Sequence, residues 1–483
     1  MNWTRCAIFL LTTALIFSSG AGYCRPPEDA AITSALEWID SHDGEITDAA
    51  QSLHSHPETP LHEHHAFELL TGILEHGGFT IERNVAGMPT AFVATYGSGH
   101  PVIGILAEYD ALPGLSQKAG DPLQTPVEDG GPGHGCGHNL FGAGSVGAAL
   151  AVKEAIDAHG LTGTVVLYGS PAEETGVGKV YMARDGVFSG ADACLTWHPA
   201  TISKAQMAQT IAMNNFEVSY TGRTAHGAAD PWNGRSALDA VELMNIGVNY
   251  LREHVKPTVR IHYVVKDGGL APNIVPDHAT VWYFVRDSNR AGVEEVYERV
   301  QNIAKGAALM TGTEMKLTLT TGVYEYLPNL ELTRLMDKHL RQTGPPEFSD
   351  DDQEFARSLQ HTLGIPEKGL STDVEDFDEE VTLGGGSSDV ADVSWIVPTS
   401  GELGIASAPS GIPWHSWAVT ASAGSDVGMK AAVTAAKVIA ASTVDMMLHP
   451  EIVERAQAEF RNKTADFTYR SAVPDGQSPP LPE

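Results

Sequence analysis

Apolar positions recur at helical spacing from residue 28 to about residue 78, with Trp38, Ile39, Ile46, Leu53, Phe67, Leu69, Leu70 and Leu74 on the repeating face. Short apolar runs at 91–96, 102–107, 165–168 and 193–196 then read as strands, and a helical segment at 140–159 separates the second from the third. Strands alternating with helices predict an α/β domain with a largely covered sheet. From about Asn215 the pattern changes. Strands at 216–221, 259–265, 280–285 and 315–320 and helices at 236–254 and 293–310 follow the order β-α-β-β-α-β, a ferredoxin-like α+β arrangement. Strand and motif material resembling the first domain resumes afterwards, so this unit reads as an insertion. The expected division is 23–212 and 325–472 for the two parts of the first domain and 213–324 for the inserted one. Residues 343–378, rich in Pro, Asp and Glu, are expected to form a long loop or excursion. Helices near 428–448 and 452–461 close the pattern, and the proline-rich tail at 473–483 is expected to be loosely ordered.

The N-terminus changes the picture of where the protein works. Arg5 precedes an apolar run at 6–17 and then Ser18-Ser19-Gly20-Ala21-Gly22, which reads as a signal peptide over 1–22. The run is too short to span a bilayer comfortably. The expectation is an exported protein, periplasmic or secreted, with no stable membrane span once the signal is removed. Against 61 acidic side chains there are only 30 basic ones, a formal charge of −31, which argues against a nucleic-acid partner. Four cysteines over this length are no disulfide framework. Cys194, in an apolar run, reads as a small buried hydrophobe.

Gly133-His134-Gly135-Cys136-Gly137-His138-Asn139 places a thiol and an imidazole two residues apart among glycines that let the backbone approach a ligand. Two donors do not make a metal site. Further donors stand at breaks downstream, in Pro171-Ala172-Glu173-Glu174, Trp197-His198-Pro199 and Trp414-His415-Ser416, and the apolar strand at 102–107 ends in Glu108-Tyr109-Asp110. In α/β sheets the carboxyl ends of strands are where sites gather. Of two adjacent carboxylates in such a turn, one can bind metal while the other acts as general base. Gly142-Ala143-Gly144-Ser145-Val146-Gly147 matches a dinucleotide fingerprint formally, but no acidic residue stands in the ribose position, and a closely packed helix is the better account. His54, His56, His62, His64 and His65 lack zincin spacing and read as a polar helix end and exposed turn. No nucleophile elbow for a serine hydrolase is apparent.

Taken with Ala107-Glu108-Tyr109-Asp110-Ala111-Leu112-Pro113, Gly234-Arg235-Ser236-Ala237-Leu238-Asp239-Ala240, Ala271-Pro272-Asn273-Ile274-Val275-Pro276 and Ser388-Asp389-Val390-Ala391-Asp392, these motifs resemble a known family. It is the co-catalytic metallopeptidase and amidohydrolase family of aminoacylases, hippurate hydrolases and auxin-conjugate hydrolases. The similarity covers nearly the whole chain after the leader and is strongest to the subgroup acting on p-aminobenzoyl-glutamate. The resemblance implies an α/β catalytic domain of the zinc-exopeptidase type with an inserted lid or dimerisation domain. It also implies two divalent metal ions per subunit, zinc first, with manganese or cobalt as alternatives. Cys136, His138, Glu174, His198 and His415 would be the ligands, Glu173 the general base acting on water, and Asp110 a carboxylate orienting a ligand. His226 resembles the histidine that stabilises the oxyanion in the partner subunit's site, and Asn273 and Arg286 match positions that hold the substrate backbone and carboxylate. One departure is Asn139, where the common version of the motif has Asp.

The expected activity is therefore hydrolysis of the amide bond of a small N-acyl amino acid, with p-aminobenzoyl-glutamate-like substrates first. A dipeptidase or general aminoacylase is the alternative. A non-catalytic metal- or peptide-binding protein is the alternative of another class, and Glu173 argues against it, because a binder needs no base beside the metal. The expected assembly is a homodimer through the inserted domain, or a heteromer with a related chain.

Overall fold

The computed structural model describes residues 27–482. The expected signal peptide at 1–22, with Cys6, and also Cys24, lie outside the described residues.

A seven-stranded sheet forms the larger unit. Its order is Thr80–Arg83, Phe92–Ser98, Gly163–Ser170, Val102–Glu108, Ala193–Leu195, Thr399–Ser400 and Pro328–Asn329. The first three strands pair antiparallel and the rest parallel. Gly163–Ser170 is buried along its whole length, as expected for a strand covered on both faces. Helices His138–His159 and Asp426–Leu448 pack together beside it. Their small residues make that contact possible. A Cβ on Gly144 would lie 2.9 Å from Ala432 O, and one on Gly147 would lie 2.5 Å from Ile46 Cδ1 on a third helix, Asp43–Ser55, packed on the same side. The apparent dinucleotide fingerprint is thus a helix-packing stripe. Asp426–Leu448 is long and apolar enough to cross a membrane, yet most of it is buried within the protein, as in the core helix of a globular domain.

The inserted unit is a four-stranded antiparallel sheet in the order Arg260–Asp267, His278–Asp287, Ala212–Thr221 and Glu314–Val323. Helices Ala237–Leu251 and Arg290–Thr311 cover it and bury Val241, Met244, Val296 and Val300 against Phe216, Tyr220 and Tyr283. This is the ferredoxin-like arrangement read from the periodicity. A further three-stranded sheet, His198–Ala200, Glu402–Ala406 and Lys204–Gln206, escaped that reading because its strands are so short.

Three expectations need correction. Of the long loop or excursion expected at 343–378, the loop reading fails, because Asp350–Thr362 is a helix. Ser349 accepts the Asp352 N–H through its hydroxyl while the Asp352 carboxylate accepts the Ser349 N–H, a reciprocal cap that the acidic composition masked. The tail is also tied down: Val473 is buried, and the Gln477 side chain donates to Leu319 O at 2.7 Å and to the Tyr181 hydroxyl at 3.1 Å. His54 is buried rather than exposed, and its Nε2 donates to Thr420 O at 2.9 Å. Cys136 and Cys194 are both free and buried.

Near the end of the long core helix, buried Asp445 receives hydrogen bonds from His339 Nε2 at 2.8 Å and Lys338 Nζ at 2.6 Å. Burial works to raise its pKa, but His339 and then Lys338 outweigh burial and hold it at about 2. A depressed carboxylate stabilises the fold above its unfolded pKa of 3.8, and that contribution is lost as pH falls from there towards about 2. Asp445→Asn should therefore cost about 1–3 kcal/mol at neutral pH. Urea unfolding should show the gap between variant and wild type closing below pH 4; a gap independent of pH would contradict this account.

Candidate active site

The glycine loop ahead of helix His138–His159 bends where only glycine is at ease. Gly137 caps the helix at φ 80°, and a Cβ there would lie 2.9 Å from Pro199. The turn presents Cys136 and His138 side by side. Strand Gly163–Ser170 ends in a second sharp turn, where Ala172 takes the left-handed conformation at φ 57° and throws Glu173 and Glu174 forward. The Ala172 N–H is held by buried Glu63 Oε1 at 2.9 Å. His415 is also left-handed, at φ 57°. Such backbone costs of order 1–3 kcal/mol per residue and persists only where the surroundings enforce it.

The donors converge. Cys136, His138 and His198 offer ligand atoms within 4.8 Å of one another, and so do Cys136, Glu174 and His415. A third group, Glu108, His138 and Glu173, meets the same limit. Cys136 Sγ lies 3.4 Å from His198 Nε2, and Glu174 Oε2 lies 3.5 Å from His415 Nε2. All five ligands read from the resemblance are therefore brought together, although they come from segments as far apart as Cys136 and His415.

Hydrogen bonds on the outer sides fix which imidazole nitrogen faces the centre. His138 Nδ1–H donates to Asp110 Oδ1 at 2.9 Å, and His198 Nδ1–H donates to Pro199 O at 2.7 Å, which leaves both Nε2 atoms inward as lone-pair donors. Asp110 Oδ2 also accepts the Glu174 N–H at 3.0 Å, so one carboxylate ties the two loops together. The donor set fits divalent metal ions. Glu174 Oε1 and His138 Nε2 are buried without a hydrogen-bond partner, and mixed thiol, imidazole and carboxylate donors are what such ions take.

Burial shapes the charges. It pushes the Cys136 thiol up to about 12, with the charge of Glu174 adding to the effect, so a thiolate there calls for a cation. Burial and then the charge of Glu108 raise Glu173 to about 7. His198 falls to about 3, chiefly through burial, and is held neutral. The donors open into a cavity of about 380 Å³ with aromatic walls that include Phe141, Phe284 and Trp414. From the inserted sheet Arg286 reaches this cavity; its Nη1 donates to Ser387 Oγ at 3.3 Å, and its Nε is buried without a partner.

A sequence model of peptidase family M20/M25/M40 matches residues 104–392. The chain belongs to that family. It is 38% identical to one of the two chains of the p-aminobenzoyl-glutamate hydrolase of Escherichia coli (strain K12), over 90% of this chain and 95% of the relative. To the Xaa-Arg dipeptidase of Homo sapiens it is 28% identical, over 93% of this chain and 98% of the relative. A solved structure of a putative aminohydrolase from methicillin resistant Staphylococcus aureus shares the fold. Its TM-score is 0.61 at 20% identity, covering 86% of this chain and 99% of that one. The expected fold class, an α/β catalytic domain with an inserted α+β domain, is thereby met, and the protein is a hydrolase of the M20 type.

Two residues named from the sequence do not join this M20 site. His226 and Asn273 are exposed on the inserted domain and do not line the cavity. They are neighbours, bridged through His226 and Ile274 and through the Gly227 N–H to Asn273 O. The His226 ring is set: its Nδ1 accepts the N–H groups of Ala228 at 3.1 Å and Ala229 at 3.0 Å, so Nε2 carries the proton and faces outward.

Sequence reasoning also missed three residues of this M20 centre. Buried Lys179 puts Nζ 2.7 Å from Glu108 Oε1 and 2.7 Å from Asp389 Oδ1, and Glu108 Oε2 lies 3.3 Å from His138 Nε2. Burial opposes the charge on Lys179, but Asp389 and Glu108 outweigh it and raise the pKa. Glu108 and Asp389 both stood in quoted motifs. Lys179 gave no signal beyond following the glycine at 178.

Proposed function

We propose that this chain hydrolyses the amide bond of aroyl-glutamates of the p-aminobenzoyl-glutamate type. The observation carrying the reading is one cavity that combines the donor cluster, Glu173, aromatic walls and Arg286. The similarity to the Escherichia coli p-aminobenzoyl-glutamate hydrolase chain over nearly its full length supports the substrate class. Aromatic walls suit an aroyl group, and a guanidinium with an unpartnered Nε suits a carboxylate. Two divalent ions, held in the adjoining groups that share Cys136, would supply Lewis acidity when bound, and zinc suits the sulfur, nitrogen and oxygen set best.

The chain's own groups do the proton work. Glu173 takes the proton of the attacking water and passes it to the leaving amine of glutamate. Asp110 holds His138 in the tautomer that keeps Nε2 inward and steadies the Glu173-Glu174 turn through the Glu174 N–H. Arg286 holds the glutamate carboxylate and so places the scissile bond beside Glu173.

We also propose a homodimer through the inserted domain. Among the described residues, strand Arg260–Asp267 is an unpaired sheet edge with Tyr263, Val264 and Val265 exposed, and Ile246 and Tyr250 stand exposed on helix Ala237–Leu251. In such a pair His226, with its Nε2–H facing outward, and Asn273 would serve the second copy's site.

Purified full-length protein should release glutamate from p-aminobenzoyl-glutamate, lose the activity to a chelator and regain it with added zinc, manganese or cobalt. Sedimentation should give the mass of two chains. Release from dipeptides but not from aroyl-glutamates would overturn the substrate class, and activity indifferent to chelation would overturn the metal-dependent reading. A single-chain mass would overturn the dimer.

A further inference from the structure

Glu402 opens the strand Glu402–Ala406, the centre of the three-stranded sheet that carries His198. Gly404 pairs with His198 in parallel register. Side chains alternate along a strand, so Glu402, two residues before Gly404, faces the same side as His198. It stands about 7 Å further along the sheet, close to the span of a para-substituted benzene ring. Glu402 lines the same cavity as Glu173, His198 and Trp414. The side-chain partner it has is Gln206, directly opposite on strand Lys204–Gln206, and among the described residues no lysine, arginine or histidine forms an ion pair with it. The nearby Tyr326 hydroxyl is engaged with Ser400 O and does not compete. Burial raises the Glu402 pKa, as an acid facing an apolar-walled space should be raised. With Gln206 as its one side-chain donor, the carboxyl keeps acceptor capacity for a donor brought by a ligand.

We propose that Glu402 selects the acyl group, accepting a hydrogen bond from an amino group at the end of the acyl part remote from the scissile amide. This rests on the hydrolase reading above and names the class of acyl group taken: aromatic, with an N–H donor opposite the carbonyl. Arg286 and Glu402 then read the two ends of one substrate, the carboxylate from the inserted sheet and the amine from the catalytic domain.

The test compares p-aminobenzoyl-glutamate with benzoyl-glutamate, which differ only in the amino group, using the full-length metal-loaded enzyme. Wild type should favour the amino compound by about tenfold in kcat/KM, mostly through KM. Glu402→Leu should bring the ratio to near one by weakening the amino substrate alone, and metal content should not change. Should Glu402→Leu fail to fold, Glu402→Gln decides: it keeps the shape and one acceptor oxygen, and its ratio should fall between the other two. Equal kcat/KM for both substrates in wild type, or an unchanged ratio in the variants, overturns the assignment and leaves the proposed hydrolase standing. Wild type that cleaves neither overturns the proposed function and this assignment with it.

Discussion

Glu173→Gln should lower kcat by about 10²- to 10⁴-fold, the range that a positioned general base supplies. KM and metal content should stay close to wild type. The side chain meets what that role requires. It lines the cavity and lies within 4.8 Å of the nearest donors of Glu108 and His138. Its turn is set by the left-handed Ala172, whose N–H is anchored on Glu63. Burial, reinforced by the charge of Glu108, moves its pKa to about 7, where a carboxyl can both take and return a proton. Steady-state kinetics alongside elemental analysis separates this role from ligation. If metal content falls in step with activity, Glu173 is a ligand; if turnover is unchanged, it is neither.

Lys179→Met should be the most destabilising single change in the catalytic unit, costing about 3–5 kcal/mol, because it leaves buried carboxylates without their cation. Lys179 is wholly buried, with Glu108 on one side and Asp389 on the other. Asp389 in addition accepts the Lys179 backbone N–H at 2.8 Å, so the pair also fixes the start of helix Gly178–Arg184. Burial already pushes Asp389 up to about 6 in the presence of the lysine. Pairing Lys179→Met with Asp389→Asn should recover part of the loss, since only Glu108 then lacks a partner. Urea midpoints of the single and double variants measure both effects. A midpoint for Lys179→Met equal to wild type would show that the triad contributes nothing net to stability.

Much of this was readable in one dimension. Helical and strand periods located the long helices and the main strands of both sheets, because burial on one face imposes its repeat on the sequence. What escaped were the two- and three-residue strands, such as Thr399–Ser400 and His198–Ala200, which are too short to show a period. Helix Asp350–Thr362 escaped for a different reason: its acidic face hid the Ser349 cap. At the site, Cys136, His138, Glu173, Glu174 and His198 could be found from sequence because each stands at a strand end or glycine turn. His415 also stood at such a break, in Trp414-His415-Ser416, but only the family resemblance assigned it to the ligand set.

By itself, then, the sequence determined the two folded units and the chemical types gathered at the strand ends, since local periodicity and turn chemistry dictate both. Only the tertiary structure decided which of those groups share a volume. It brought Asp389 to Lys179 across 210 residues, set Asp110 behind His138 and Glu174, and placed Glu402 along the sheet from His198. It also left His226 and Asn273 outside the cavity. Contacts between distant segments come from packing and register, and no local pattern in the chain encodes them.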